Sequence, residues 1–225
     1  MFYKKQSHYL PTLPARRLGA SGGSTQYSVK VTNNSATTWD VFMYQQQPGQ
    51  PSPGVFSLAW FSMPMSPTTT ATFTWDITYD FVWSQTGTLV PGVTFTAGQT
   101  WPADPVSANY VELSEPQSNL FTFKNQNATG AQGSLSVWQD GSVAGDAASV
   151  GIGMSGFGTF AVQAQPNTTA VFTPEPSYWI AFGSQVQQGC VLETVVGNSS
   201  QITFGQNVYQ MNAVLGGNNL WTISA

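Results

Sequence analysis

The stretch TATFTWDITYDFVWS, residues 70–84, alternates apolar and polar residues in two short runs. Phe73 and Trp75 share one side of the first run, Thr72 and Thr74 the other, and Phe81-Val82-Trp83 carries the second. A period of two is what a strand half-buried against a core requires, because successive side chains point to opposite faces. Asp76 and Asp80 lie where the runs meet, and aspartates favour turns by bonding their own backbone.

Working outward, comparable runs lie at Tyr27–Val31, Val41–Gln45 and Val55–Met63 on the N-terminal side. On the C-terminal side they follow at Val93–Thr96, Tyr110–Leu113, Leu120–Lys124, Ser134–Trp138, Gly158–Gln163, Thr169–Thr173 and Tyr178–Phe182. Cys190–Val195, Ser200–Phe204, Val208–Val214 and Leu220–Ile223 complete the series. Short runs rich in Val, Phe, Tyr, Trp and Thr and separated by Gly, Pro or Asn predict an all-β fold, a single antiparallel β-sandwich or flattened barrel. No helical period persists for ten residues, and the helix formers Glu, Lys and Arg are scarce. Residues 25–225 read as one domain, with no convincing internal repeat and no linker to divide them. Residues 1–24 show no period. Pro11 and Pro14 suggest an extended arm, and Gly19, Gly22 and Gly23 a hinge.

Charged residues make up 7% of the 225, so the surface is solvated mainly by neutral Ser, Thr, Gln and Asn and lacks the charge repulsion of most proteins. The 8 Trp, 8 Tyr and 14 Phe are enough for a large core and exclude a disordered chain. Lys4, Lys5, Arg16, Arg17 and Lys30 put +5 on the first thirty residues. The remainder holds Lys124 and all ten acids, or 1 − 10 = −9. Such a body repels phosphate, so nucleic acid is not an expected partner. No apolar run is long enough to span a membrane. The N-terminus lacks the apolar region of a Sec or twin-arginine signal, which leaves a cytoplasmic location or export by an unconventional route. The four N-x-S/T sequons, at Asn33, Asn127, Asn167 and Asn198, then read as accidents of composition.

The single cysteine, Cys190, excludes an internal disulfide and a cysteine zinc site. The single histidine, His8, lies on the arm, so the body cannot build a histidine triad or a histidine-ligated metal centre. No metal and no cofactor is expected. Asp140–Asp146 lacks the acid pattern of a calcium loop and reads as a hairpin loop. Gly151–Gly158 has no helix after it, so its glycines fit a bulge or close strand crossing better than a phosphate loop.

The carboxylates are what remains for acid–base chemistry. Trp75, Asp76, Tyr79, Asp80 and Trp83 form the candidate ligand site, since paired acids between aromatic walls suit sugar recognition or glycosidase-like chemistry. Turn formation by the two aspartates is the competing explanation. On the arm, Phe2, Tyr3, Tyr9, Leu10 and Leu13 are candidate apolar anchors. Arg16 and Arg17 would be attracted to an acidic body, so the arm is a candidate device for homo-oligomers or polymers. Three functions follow: a non-catalytic binding or self-assembling protein; a lectin-like carbohydrate-binding module; and a cofactor-free, cyclase-like enzyme with an aromatic pocket and an Asp acid. The ligand expected is a glycan or a small apolar molecule.

Ser57-Leu-Ala-Trp60-Phe61, Phe73-Thr-Trp75-Asp76-Ile, Tyr79-Asp80-Phe81-Val82-Trp83, Gly87 and Leu89-Val-Pro91-Gly92-Val93 together resemble the RhiA-like proteins, which include a rhizosphere-expressed rhizobial protein and similar proteins in fungi. The resemblance is strongest over residues 40–105. It implies a compact all-β fold and a role in contact with other organisms, and it assigns no catalytic residue.

Overall fold

A computed structural model describes residues 25–46, 54–174 and 177–225. These residues form seventeen strands and no helix. In chain order the first nine are β1 (Gln26–Asn33), β2 (Trp39–Gln46), β3 (Phe56–Ser57), β4 (Phe61–Met65), β5 (Thr70–Asp76), β6 (Tyr79–Ser84), β7 (Gln99–Ala103), β8 (Tyr110–Gln117) and β9 (Leu120–Asn127). The rest are β10 (Leu135–Gln139), β11 (Ser149–Met154), β12 (Phe157–Gln163), β13 (Thr168–Phe172), β14 (Ser177–Gly183), β15 (Ser200–Ile202), β16 (Gln210–Leu215) and β17 (Trp221–Ser224).

Four sheets result, ordered β17-β16-β1-β5, β15-β14-β2-β4, β13-β10-β8-β9 and β3-β12-β11-β6-β7. None closes on itself, so the architecture is sandwich-like rather than a flattened barrel. Pairing is antiparallel except for β1 with β16 and β8 with β10, which run parallel. The first two sheets face one another across a core built from Val29, Val31, Phe73 and Trp75 on one side and Val41, Met43, Ile180 and Phe182 on the other. The other two sheets enclose Phe81, Trp83, Val150 and Ile152 against Val111, Leu113, Phe123 and Val137. The alternation read along residues 70–84 is therefore real, but its two runs serve different cores. β5 and β6 are not a hairpin; the chain crosses from one sandwich to the other at Ile77-Thr78.

A third layer joins the sandwiches. Residues 57–60 lie between the β2 sheet and the β11 sheet: Leu58 N–H donates to Thr159 O (2.9 Å), and Trp60 N–H to Met43 O (2.8 Å). Leu58 packs with Val82, Ala161 and Val191, and Ala59 with Phe42, Tyr44, Cys190 and Leu192. Both of these sheets are thus covered on both faces. All six residues of β11 are buried, and a strand buried on both faces loses its alternation. That is why Ser149–Met154 did not read as a strand. Val93–Thr96 and Cys190–Val195 contribute to this layer only isolated bridges, Thr94 with Cys190 and Leu58 with Val191. Val55–Met63 divides into two strands in different sheets.

Close backbone approaches fix two glycines. A Cβ on Gly87, one of the residues that carry the resemblance, would lie 1.6 Å from the Asp146 carbonyl oxygen. One on Gly151 would lie 2.0 Å from Phe160 O, and the β11–β12 register shifts between Ile152 and Gly153. The glycine-rich segment is a bulged hairpin, in line with its sequence.

The structure also contains a repeat that the sequence did not disclose. Reading β17, β16, β1 and β5 as β9, β8, β10 and β13, and β15, β14, β2 and β4 as β7, β6, β11 and β12, reproduces every pairing among these sixteen strands and its direction, leaving only β3 with β12 without a counterpart. The registers coincide in the paired central sheets. Met43 sits between Phe61 and Ile180 as Ile152 sits between Phe160 and Phe81. Phe61, Pro67, Thr69, Thr70, Ala71, Phe73, Thr74 and Tyr79 recur 99 positions later as Phe160, Pro166, Thr168, Thr169, Ala170, Phe172, Thr173 and Tyr178. Thr68 and Asn167, also 99 apart, both adopt left-handed backbone (φ 65° and 57°).

Trp60 is fully buried, and its indole N–H donates to Met154 O in the other sandwich (2.9 Å). Trp60→Ala is expected to cost about 3–5 kcal/mol, measured as a shift in the urea unfolding midpoint. A variant as stable as the wild type would refute this account of the joint.

Candidate functional site

The five residues singled out around the crossing do not share one wall. Trp75 is 2% exposed in the first core, beside Trp60 and Tyr178 (ring centroids 5.3 and 5.2 Å). Trp83 is 7% exposed in the second core, its Nε1–H donating to Gln99 Oε1 (3.0 Å). Asp76, Tyr79 and Asp80 gather at the crossing itself. Asp76 Oδ1 accepts from Ser155 Oγ (2.7 Å) and Thr78 Oγ1 (2.9 Å), and Asp80 Oδ2 accepts from Gly156 N–H (3.0 Å). Ser155 and Gly156 are the left-handed pair (φ 53° and 83°) at the tip of the β11–β12 hairpin. The two carboxylates therefore grip the turn of another hairpin, while Asp76 also accepts from Thr78 within its own segment. Tyr79 Oη donates to Pro174 O (3.0 Å). Burial raises the Asp80 pKa, the Gly156 N–H opposes this, and the Asp76 charge adds to it.

Phe2, Tyr3, Tyr9, Leu10, Leu13, Arg16 and Arg17 lie outside the described residues. Cys190 is buried, its thiol pushed up by desolvation.

A second cluster stands on the outer face of the β13-β10-β8-β9 sheet. Leu135 and Val137 of β10 point into the core, so Trp138 faces outward. Register sets Trp138 beside Glu112 on β8 and Thr169 on β13, and Glu112 beside Lys124 on β9. Tyr110 lies one row away, opposite Ser136. Trp138 is half-buried, and its indole N–H meets no acceptor among the described residues. Around it Lys124 Nζ pairs with Asp140 Oδ2 (2.7 Å) and lies 4.0 Å from Glu112 Oε2. Asn125 Nδ2 donates to Glu112 Oε2 (2.7 Å), and Tyr110 Oη to Glu112 Oε1 (3.4 Å). Desolvation works against the Asp140 charge, but hydrogen bonds from Lys124 and Ser142 prevail and hold its carboxyl well below the ordinary range. The Asp140 hydrogen bond in turn raises the Lys124 pKa. Asp140–Asp146 is a loop between β10 and β11 with Asp140 committed to this network.

The pairing equivalence locates the same positions on the other sandwich. Trp138–Glu112 corresponds to Lys30–Asn212, Tyr110–Ser136 to Gln210–Ser28, and Glu112–Lys124 to Asn212–Ser224. One repeat carries an aromatic side chain framed by charges, while the other carries short polar groups and one lysine. Sequence reading passed over this cluster because Lys124 reads as a strand-end surface residue. The signal available was Trp138, out of phase with Leu135 and Val137.

A sequence profile of the RhiA family matches residues 24–225. The chain is 40% identical over 205 residues to Protein RhiA of Rhizobium leguminosarum bv. viciae, the alignment spanning 89% of this chain and 87% of that protein. No solved structure shows a significant match.

The Asp80 shift gives a pH dependence with a definite sign. A carboxyl whose folded pKa is raised binds more protons in the native state, so stability falls as pH rises from the unfolded value through the folded one. Asp80→Asn, which keeps an oxygen for the Gly156 N–H, is expected to abolish that fall and to melt above the wild type at neutral pH. Thermal melts of both proteins across the acidic range check it, and parallel curves would remove the assignment.

Proposed function

This chain belongs to the RhiA family, and from that premise we propose that it is a non-catalytic binding protein whose ligand is a glycan chain laid on the open face around Trp138. The observation that carries this reading is the pairing of Trp138 with a frame of Tyr110, Glu112, Lys124 and Asp140 on an outward sheet face. An indole offers an apolar plate to the carbon-bound hydrogens of a pyranose ring and an N–H to a hydroxyl. Carboxylate and ammonium groups beside it suit hydroxyls, which both donate and accept. The frame is partly formed before any ligand arrives, because Lys124 pairs with Asp140 and Asn125 donates to Glu112 (2.7 Å each). Pre-organisation of this kind lowers the entropic cost of binding.

The geometry favours binding over an acid-catalysed enzyme. Asp76 and Asp80, the acids that such an enzyme would use, are engaged with the Ser155-Gly156 turn, and the aromatic rings of Trp75 and Trp83 are buried in separate cores. An open face also suits an extended chain better than a small molecule, which needs a concave pocket.

Trp138→Ala is expected to weaken retention on immobilised polysaccharides at least about tenfold, equivalent to about 1.4 kcal/mol, while the melting temperature stays near that of the wild type. Affinity electrophoresis against soluble glucans, mannans and chitin oligomers measures it. Lys30→Ala, at the equivalent place on the other sandwich, is the control and should leave retention unchanged. Equal retention of Trp138→Ala and wild type, or none of the wild type on any glycan, would sink the proposal.

A further inference from the structure

The repeat described above divides the chain at the β9–β10 connection, residues 128–134. The first copy comprises β1, β2, β4 and β5 followed by β6–β9, and the second β10–β13 followed by β14–β17. Neither copy forms a sandwich with itself. The first sandwich takes β1, β2, β4 and β5 from the first copy and β14–β17 from the second, and the other sandwich takes the complementary halves. We infer that this chain is a tandem duplication whose copies have exchanged halves, and that a second copy of the chain can enter the same exchange, the first repeat of one molecule completing the second repeat of another.

Three further observations support it. The exchange occurs at the equivalent β5–β6 and β13–β14 connections, and Tyr79, the first residue of β6, donates its Oη to Pro174 O beyond the end of β13 (3.0 Å). The two copies also meet in a direct backbone pairing, β3 of the first antiparallel to β12 of the second, with Ser57 opposite Phe160 and Phe56 opposite Ala161. Asn119 and Asn219, each at the turn into the last strand of its copy, both adopt left-handed backbone and are followed by Leu120-Phe-Thr and Leu220-Trp-Thr.

An intermolecular exchange needs no new surface. Every strand pairing and both cores would be kept, the pairings between copies now forming between molecules, and only residues 128–134 would change course. In the closed chain fully buried Asn109 holds that connection, donating to the carbonyls of Gly130 and Ala131 (3.1 Å each) and accepting from Gly130 N–H (3.0 Å). The closed form is favoured because a short linker makes the second repeat present at high effective concentration. Shortening the linker until it cannot pass over the end of β8 removes that advantage and leaves the intermolecular form.

Two measurements on the full chain test this. In the first, a protease site is inserted at residues 128–132 and cut after folding. The fragments are expected to stay together on gel filtration and to part only in denaturant; fragments that separate in buffer as two folded species would overturn the exchange of halves. In the second, two differently tagged full-length proteins are unfolded and refolded together at high concentration. Capture by one tag is expected to retrieve the other, whereas mixing the folded proteins retrieves none. Deleting residues 128–132 should raise the retrieved share at least about tenfold. If the shortened chain does not fold, the intact pair alone decides. No mixed species after joint refolding refutes exchange between molecules, and mixed species without unfolding assigns association to another surface.

Discussion

The four residues from Ser57 to Trp60 impose the constraint on which the rest of the molecule depends. Their backbone N–H groups are divided between two sheets, Leu58 to Thr159 and Trp60 to Met43, and Ala59 N–H goes to Cys190 O (2.8 Å). Buried backbone donors must find partners, so the segment can lie only where both sheets offer carbonyls at once. Its side chains then enter three different clusters, Leu58 one, Ala59 the next and Trp60 the first core. Neither sandwich can shift against the other without breaking bonds that have no solvent to replace them.

What was legible in the sequence follows from whether a residue's surroundings are local. Strands with one face to a core and one to water, such as Tyr27–Val31 and Thr70–Ile77, displayed their period, and the all-β class followed. Strands between two layers did not, because burial on both faces erases the period, as in Ser149–Met154. The division into two cores also escaped: Trp75 and Trp83 look like neighbours along the chain, and only the turn at Ile77-Thr78 sends them apart. Asn33 reads as one of the turn residues that close the first strand, and as the start of a sequon. It is fully buried, donates to Thr37 O and Met65 O (2.9 and 2.8 Å), and accepts from Ser35, much as Asp140 accepts from Ser142 in the other sandwich. The shared turn is chemically plain once seen, but Asn and Asp in unlike sequences do not announce a repeat.

The candidate site was legible in part. The aromatic and acidic residues at the crossing stood out in sequence because they are dense there, and their density reflects the joint between sandwiches. The outward cluster around Trp138 is sparse along the chain, since Tyr110, Glu112, Lys124, Trp138 and Asp140 come from three strands and a loop. A parallel pairing, β8 with β10, brings Glu112 beside Trp138. Parallel pairing needs a long connection, and no local pattern reveals which strands it joins.

The near-perpendicular contact of Trp60 and Trp75 gives the first sandwich an optical signature. Their rings lie 5.3 Å apart at 71°. Transition dipoles at that separation and angle couple, which adds a paired positive and negative band to the ultraviolet circular dichroism of the folded chain. Trp83 and Trp101, in the second sandwich, lie instead against Phe121 and Phe123. The couplet therefore reports the first sandwich, and its loss on heating marks the moment when those two indoles part, whatever the remaining strands are doing.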